Sequence, residues 1–316
     1  MSDQERLLAG QIASCTAVQD ALKNSKHPCR KVVNEQSKII SLEIKRQRPE
    51  PWMGGIGTAK LLFISSNPSI NEDPFPLGEV FPTYEWSEQD SADFFVDRCN
   101  PDKDPVSVTF NKSGEPNFLT LCHDREYRSG VSKPKQPQPT WKNTHDRAKE
   151  LLGETAHPHF DYAITEIVHC KSKEAEGVEE ASRFCTNNWM NSVFELSPAT
   201  VIILLGSKVR DFYAIPILGV SSDFGKRAGY ENLTQEERAL RDIFVENIGG
   251  KDRIFVFNWH PTYAGLRIYK KVYGDAIVNW LTSVIEGKTV VPTKENLGEI
   301  IKAFFICSQE LPDPCF

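Results

Sequence analysis

The sequence lacks several features that would place it quickly in a class. No run of about 18 apolar residues occurs in its 316 residues, so it contains no candidate membrane span. The first residues, MSDQERLLAG, are polar and do not resemble a signal peptide. Basic residues are not in excess, since the net charge is −6, which argues against a protein that coats nucleic acid. We therefore expect a cytoplasmic protein without membrane partners.

What is present is ordinary globular composition and eight cysteines. Hydrophobic residues make up 40% of the chain and charged residues 25%, which suits one large domain with additions. In an intracellular protein, cysteines are more often free, redox-active or metal-bound than paired in disulfides. Basic clusters at 45–48, 133–135 and 267–271 are either solvated surface or a local face for DNA.

Buried strands alternate with helical patterns along the chain. The apolar runs at 60–65, 162–168, 201–206 and 254–258 predict strands, and helical spacing recurs at 177–197 and 262–286. This alternation predicts an α/β fold, a three-layer α/β/α sandwich with a four-stranded parallel sheet. The main unit spans 1–286 and contains an irregular inserted segment at 70–145, and residues 287–316 form a C-terminal helical appendage.

Polar residues follow three of these strands, at the edge where parallel sheets place their sites. After the first strand, Asn67 can both donate and accept hydrogen bonds, although a simple turn explains SSNPS equally well. Glu166 lies within an apolar run, where a carboxylate needs a partner or a function. His260 ends the last strand and is locked by Pro261.

Four ordered motifs resemble the uracil-DNA glycosylase superfamily, and most closely its family 4-like, iron–sulfur branch. The match covers roughly residues 10–286. It is carried by Pro68, Ser69, Glu72 and Asp73; by Thr165 to Cys170; by Cys185, Trp189, Pro198 and Gly206; and by His260, Pro261 and Thr262. Such enzymes flip a nucleotide out of DNA and hydrolyse the bond between base and sugar.

The resemblance implies a role for each residue of the site. His260 donates to the departing base, and removing such a donor typically costs about 3–4 kcal/mol of transition-state stabilisation. Asn67 positions the attacking water. The base is bound by Glu166 and Ser66 and stacks on Phe75 or Phe81. The implied DNA contacts are Ser69, Pro261, Thr262, Tyr263 and Arg267.

Glu166 departs from the family pattern, in which uracil-cutting members have asparagine. An ionised glutamate only accepts hydrogen bonds, so it opposes O4 of uracil but suits the amino group of cytosine. A protonated Glu166 would also donate to N3 and assist a poor leaving group. We therefore expect the excised base to be a modified cytosine, hydroxymethylated or glucosylated, as in anti-phage members of the superfamily.

The resemblance also implies a [4Fe–4S] cluster held by Cys15, Cys29, Cys170 and Cys185. Cys170 and Cys185 lie in the matching motifs, whereas the usual N-terminal C-x-x-C is absent and Cys15 and Cys29 stand farther apart. The alternative is four buried free thiols. The remaining cysteines are expected to be free.

Other functions stay open at this point. The protein could instead be a uracil-DNA glycosylase of base excision repair or a non-catalytic DNA lesion-binding module, and in each case we expect a monomer. A doubly wound nucleotide-binding protein is disfavoured, because no glycine-rich phosphate motif follows the first strand.

Overall fold

The computed structural model describes residues 3–39, 46–70, 82–97, 99–100, 109–110, 116–117, 139–259 and 268–310. The strands in these ranges are β1 (Trp52–Gly54), β2 (Leu61–Ser65), β3 (Thr109–Phe110), β4 (Pro116–Asn117), β5 (Tyr162–Glu166), β6 (Val201–Leu205), β7 (Ile243–Ile248) and β8 (Lys251–Asn258). The α-helices are α1 (Asp3–Ala13), α2 (Ala17–Lys23), α3 (Arg30–Ile39), α4 (Glu88–Asp97), α5 (Pro139–Leu152), α6 (Val178–Leu196), α7 (Gly206–Val209), α8 (Gln235–Asp242), α9 (Tyr269–Ile285) and α10 (Leu297–Glu310).

One mixed sheet organises the fold, with strands in the order β1-β5-β2-β6-β8-β7. Strands β5, β2, β6 and β8 run parallel to one another, whereas β1 and β7 each pair antiparallel at an edge. The α/β class predicted from the sequence is confirmed. The prediction of four purely parallel strands is wrong, because two antiparallel edge strands complete the sheet.

The sequence pattern did not predict the two edge strands, β1 and β7, and the reason differs between them. Strand β1 has only three residues, too few to show any periodicity. Strand β7, IFVENI, buries alternate residues at its start and leaves its other face half-exposed, and its two polar residues break the apolar run. A search for continuous apolar runs finds buried central strands and overlooks such edges.

Alternating side chains of the central strands enter two separate hydrophobic clusters. Leu62 and Ile64 of β2 belong to the cluster that includes residues of α1, α2, α3 and α6. Leu61 and Phe63 belong to the second cluster, with residues of α5, α8, α9 and α10. This alternation follows from the two-residue period of a strand, and it covers the central strands on both sides.

A buried arginine joins the end of α6 to the sheet. Arg253 of β8 is fully buried and donates to the carbonyl oxygens of Phe194 (2.6 Å), Ser197 (3.0 Å) and Ile248 (3.1 Å), and also to that of Ala199. Carbonyls in the last turn of a helix lack partners within the helix. Arg253 supplies those partners from a neighbouring strand.

The helix expected near the C-terminus is present as α10. Leu297 and Ile301 are buried in the cluster that contains α9, and the rings of Trp280 and Phe304 lie 5.8 Å apart. The division into a main unit and an appendage stays a prediction. Across the described ranges, no helix has the length and apolar character needed to cross a membrane.

Candidate functional site

The carboxyl ends of β2 and β5 lie side by side. Ser65 and Glu166 are register partners in the parallel pair, so both strands end at the same level. The pairing then continues beyond the strands, because the amides of Ile167 and Val168 donate to the carbonyls of Ser65 (3.0 Å) and Ser66 (3.0 Å). The two predicted polar segments are therefore aligned by backbone hydrogen bonds, which limits how far their side chains can separate.

Asn67 follows β2 and is held by hydrogen bonds on both ends of its amide. Nδ2 donates to Ser172 Oγ (3.0 Å) and to the carbonyl of Pro68 (3.0 Å), while Oδ1 accepts from Ser66 Oγ at 3.3 Å. These bonds set which end of the amide is oxygen. The side chain remains half-exposed, so Oδ1 is positioned to accept a further hydrogen bond from water.

Glu166 is the last residue of β5 and is 7% exposed. Its neighbour Thr165 donates through Oγ1 to the carbonyl of Pro51 (2.8 Å), which ties this strand end to the segment before β1. Burying a carboxylate lowers the free energy of unfolding unless local contacts stabilise the group. The position of Glu166 at the strand end therefore affects the stability of the fold. Chemically, an ionised carboxylate here would select a donor on a ligand.

A buried ion pair supports the loop that carries Asn67. Lys171 Nζ lies 2.9 Å from Glu50 Oε2, with both side chains about 5% exposed, and it also donates to the Ser69 carbonyl at 3.3 Å. In addition, the Ser172 amide donates to the Pro68 carbonyl (3.2 Å). The segment after Cys170 thus holds the segment after β2 at several points.

The last parallel strand brings a third set of residues to the same edge. Asn258 of β8 is the register partner of Leu205 in β6, and Trp259 packs edge-on against Phe257 with ring centres 5.3 Å apart. The chain leading to His260 therefore leaves the sheet at the edge where Asn67 and Glu166 lie. His260, Pro261, Thr262, Tyr263 and Arg267 themselves lie outside the described residues, as do Phe75 and Phe81.

The four cysteines predicted as ligands border one small cavity. Cys15 lies between α1 and α2, Cys29 precedes α3, Cys170 follows β5, and Cys185 lies on α6. Apolar side chains complete the wall, among them Ile12, Val18, Phe184 and Trp189. Two pairs of cysteines that are far apart in sequence therefore converge on one cavity.

The surroundings of the thiols disfavour thiolates. Burial raises the pKa of Cys29 to about 12, and burial raises the pKa of Cys170 and Cys185 as well. Each of these pKa values is raised further by neighbouring cysteines. Protonated thiols are thus the stable form unless a cation compensates the charge.

Some groups at the cavity already donate towards sulfur. The His169 amide donates to Cys185 Sγ at 3.5 Å, and the indole of Trp189 hydrogen-bonds Cys15, which opposes the burial that raises the pKa of Cys15. Among the described residues, no three His, Cys, Asp or Glu side chains stand in the geometry of an assembled metal site. Cys99 is buried in the other cluster, away from this cavity.

No family model matches this chain, and no curated protein matches it.

Sequence reasoning missed the groups that hold the site together. Lys171 and Ser172 follow directly on the matched motif, so their place beside it was available from the sequence. Nothing in the sequence marked Glu50, whose carboxylate reaches Lys171 across 121 positions. The motif match includes His169 without assigning it a role, although the residue is 1% exposed and lines the cysteine cavity.

One candidate basic cluster has a structural role. Arg48, from the run at 45–48, is buried and donates to the carbonyls of Thr83 (3.0 Å) and Trp86 (2.6 Å). Its Nη1 also donates to Ser14 Oγ at 2.7 Å. Arg48 therefore ties α1 to the segment before α4 and does not contribute to a face for DNA.

Proposed function

We propose that this protein is a DNA glycosylase that hydrolyses the N-glycosidic bond of a flipped, modified cytosine and leaves an abasic site. The observation that carries the proposal is the register of Ser65 with Glu166, which aligns the Asn67 segment with the carboxylate at one sheet edge. Base excision needs a group that recognises the base and a group that positions the attacking water, close to each other. Glu166 and Asn67 at this edge are the candidates for these two tasks. The two clusters flanking the sheet support the three-layer form of such enzymes.

Each residue is assigned a chemical task. Asn67 orients the attacking water through Oδ1, because its Nδ2 is already engaged with Ser172 and Pro68. Glu166 accepts from the amino group of cytosine, which uracil lacks. His260 would stabilise the negative charge on the departing base, as a fixed donor does in an oxyanion hole. Ser66 and either Phe75 or Phe81 would complete the base pocket.

DNA contacts are assigned to the turns that follow the strands. Ser69 is exposed beside Asn67, where a backbone phosphate could approach. Pro261, Thr262, Tyr263 and Arg267 would grip the duplex and fill the gap left by the base. We propose that the enzyme acts as a monomer in the cytoplasm, and that hydroxymethylated or glucosylated phage DNA is its substrate.

The cysteine cavity fits a [4Fe–4S] cluster by its donor set. Cys15, Cys29, Cys170 and Cys185 are the four residues that would hold it, and thiolates in an apolar wall are the usual environment of such clusters. The cluster would act as a structural link that joins the N-terminal helices to the segment after β5. The raised thiol pKa values mean that metal binding has to displace protons.

Base excision on matched oligonucleotides tests the proposal. The oligonucleotides carry uracil, cytosine, hydroxymethylcytosine or glucosylated hydroxymethylcytosine, and alkali reveals abasic sites. We expect cleavage only at a modified cytosine, and Asn67→Ala should abolish it while DNA binding persists. Glu166→Asn should shift excision towards uracil, whereas Glu246→Asn on edge strand β7 should leave the preference unchanged.

The possible outcomes separate the candidate functions. Cleavage at uracil by the unaltered protein would make it a repair glycosylase and would refute the role given to Glu166. Binding of abasic or modified DNA without any cleavage would favour a lesion-binding module. Failure of Glu166→Asn to gain uracil excision, in a variant that still folds, would count against Glu166 as the base reader.

A further inference from the structure

His169 has no task in the proposed chemistry, yet its surroundings are unusual. The residue is 1% exposed, stands between Val168 and Cys170 in the chain, and is one of the residues that line the cavity of the four cysteines. Its backbone amide donates to Cys185 Sγ at 3.5 Å. The backbone of His169 is therefore held at the cavity by this hydrogen bond.

Hydrogen bonding determines the tautomer of the ring. His169 Nδ1 lies 2.8 Å from the carbonyl oxygen of Glu50, which can only accept, so Nδ1 carries the hydrogen. With the hydrogen on Nδ1, Nε2 is the ring nitrogen left to act as an acceptor or a ligand. Nε2 is buried and meets no hydrogen-bond partner in the part of the chain that the structure describes. An unused acceptor of this kind costs free energy unless a ligand occupies it.

A histidine that donates one ring N–H to a carbonyl and keeps the other nitrogen as a lone pair is arranged as a metal ligand is. We propose that His169 binds the metal centre of the cysteine cavity through Nε2, so that the centre has a mixed cysteine and histidine shell. This inference rests on the metal-binding part of the proposed function, and it replaces one of the four cysteine ligands given there by His169. It does not depend on which base is excised.

The proposal changes what the cavity can hold. A [4Fe–4S] cluster takes four protein ligands, and the cavity offers four thiols and one imidazole. One thiol is therefore outside the shell, and its serine variant will retain the centre. Exchange of a thiolate for a neutral nitrogen raises the reduction potential of an iron–sulfur centre, as histidine ligation does elsewhere.

The test uses the full-length protein, purified without oxygen and analysed for iron, sulfide and zinc. Pulsed electron paramagnetic resonance of the reduced protein, with isotopically labelled histidine, detects a nitrogen bound to iron. His169→Asn is the main variant, because asparagine Nδ2 can replace Nδ1 as donor to Glu50 while the Nε2 atom is lost. His27→Asn is the matched control, since His27 Nδ1 accepts from the Cys29 amide (3.1 Å) and asparagine keeps an acceptor there.

We expect a histidine nitrogen coupling in the unaltered protein and in His27→Asn, and its loss in His169→Asn. His169→Cys should keep the centre, lose the coupling and lower the reduction potential. If the bound metal is zinc, X-ray absorption should show a nitrogen in the shell that disappears in His169→Asn. A centre with sulfur ligands alone, a coupling that survives in His169→Asn, or protein without stoichiometric metal would each overturn the inference.

The outcomes also separate this inference from the glycosylase proposal. Base excision by a protein whose centre has only cysteine ligands would uphold the glycosylase and refute the role of His169. A nitrogen-ligated centre in a protein that excises no base would do the reverse.

Discussion

The buried pair of Lys171 and Glu50 lets the site region be tested through stability. Both side chains are about 5% exposed, and Nζ and Oε2 are 2.9 Å apart. Lys171→Met removes the cation but keeps most of the side-chain volume. Glu50 then has a buried carboxylate without its lysine partner, and the Ser69 carbonyl loses a donor.

The expected cost follows from that geometry. Breaking a buried ion pair by removing one partner typically costs about 3–5 kcal/mol, because the remaining charge is still desolvated. For a chain of 316 residues, an unfolding entropy of about 2 cal/mol/K per residue converts this into a fall in Tm of roughly 5–8 °C. The measurement is thermal unfolding followed by circular dichroism at pH 7, supported by urea titration.

Two further variants decide whether the reasoning is right. The double variant Glu50→Gln/Lys171→Met removes both charges of the pair. It should recover most of the lost stability, since neither position then holds a buried charge. Lys294→Met breaks an exposed pair with Glu246 (3.1 Å) and should cost less than about 1 kcal/mol. A Lys171→Met protein that is no less stable than the Lys294→Met protein would refute the account of the pair.

Three other perturbations give independent checks. Burial lowers the pKa of His157 to about 4 from 6.5, so the unfolded chain binds more protons in this range and stability should fall as pH drops from 6.5 to 4. His157→Asn, which keeps an acceptor for the His159 amide, should flatten that slope in urea titrations; an unchanged slope would exclude this group. Arg253→Met removes the guanidinium that donates to several carbonyls and should cost at least about 3 kcal/mol in chemical unfolding, and a smaller loss would mean that water replaces the guanidinium. Gly177→Ala should destabilise more than Gly153→Ala, because both have positive φ but only at Gly177 does an added Cβ lie 2.3 Å from the backbone of α3; equal Tm values for the two would contradict this.

The central strands could be predicted because the sequence pattern there is local. Buried parallel strands such as VIILL and LLFIS are continuous apolar runs, and these runs are what burial on both faces requires. The edge strands could not be predicted in the same way. Strand β1 is defined by its pairing with β5 rather than by its own three residues.

The candidate site was predicted in part. Asn67 and Glu166 could be singled out because polar residues at the ends of buried strands are conspicuous. Their alignment could not be predicted, because it depends on the register of Ser65 with Glu166, which are separated by one hundred intervening residues. Ser172, which holds Asn67 through its Oγ, becomes a partner only when the two segments lie side by side.

The sequence by itself determined the α/β class and the four central strands, because these are properties of local pattern and residue type. Only the tertiary structure decided that Cys15 and Cys29 reach the same cavity as Cys170 and Cys185. It also decided that Lys171 pairs with Glu50, and that Nε2 of His169 is buried without a hydrogen-bond partner among the described residues. The physical reason is the same in each case: hydrogen bonds, ion pairs and shared cavities join residues distant in sequence, and their energies depend on distances that local periodicity does not contain.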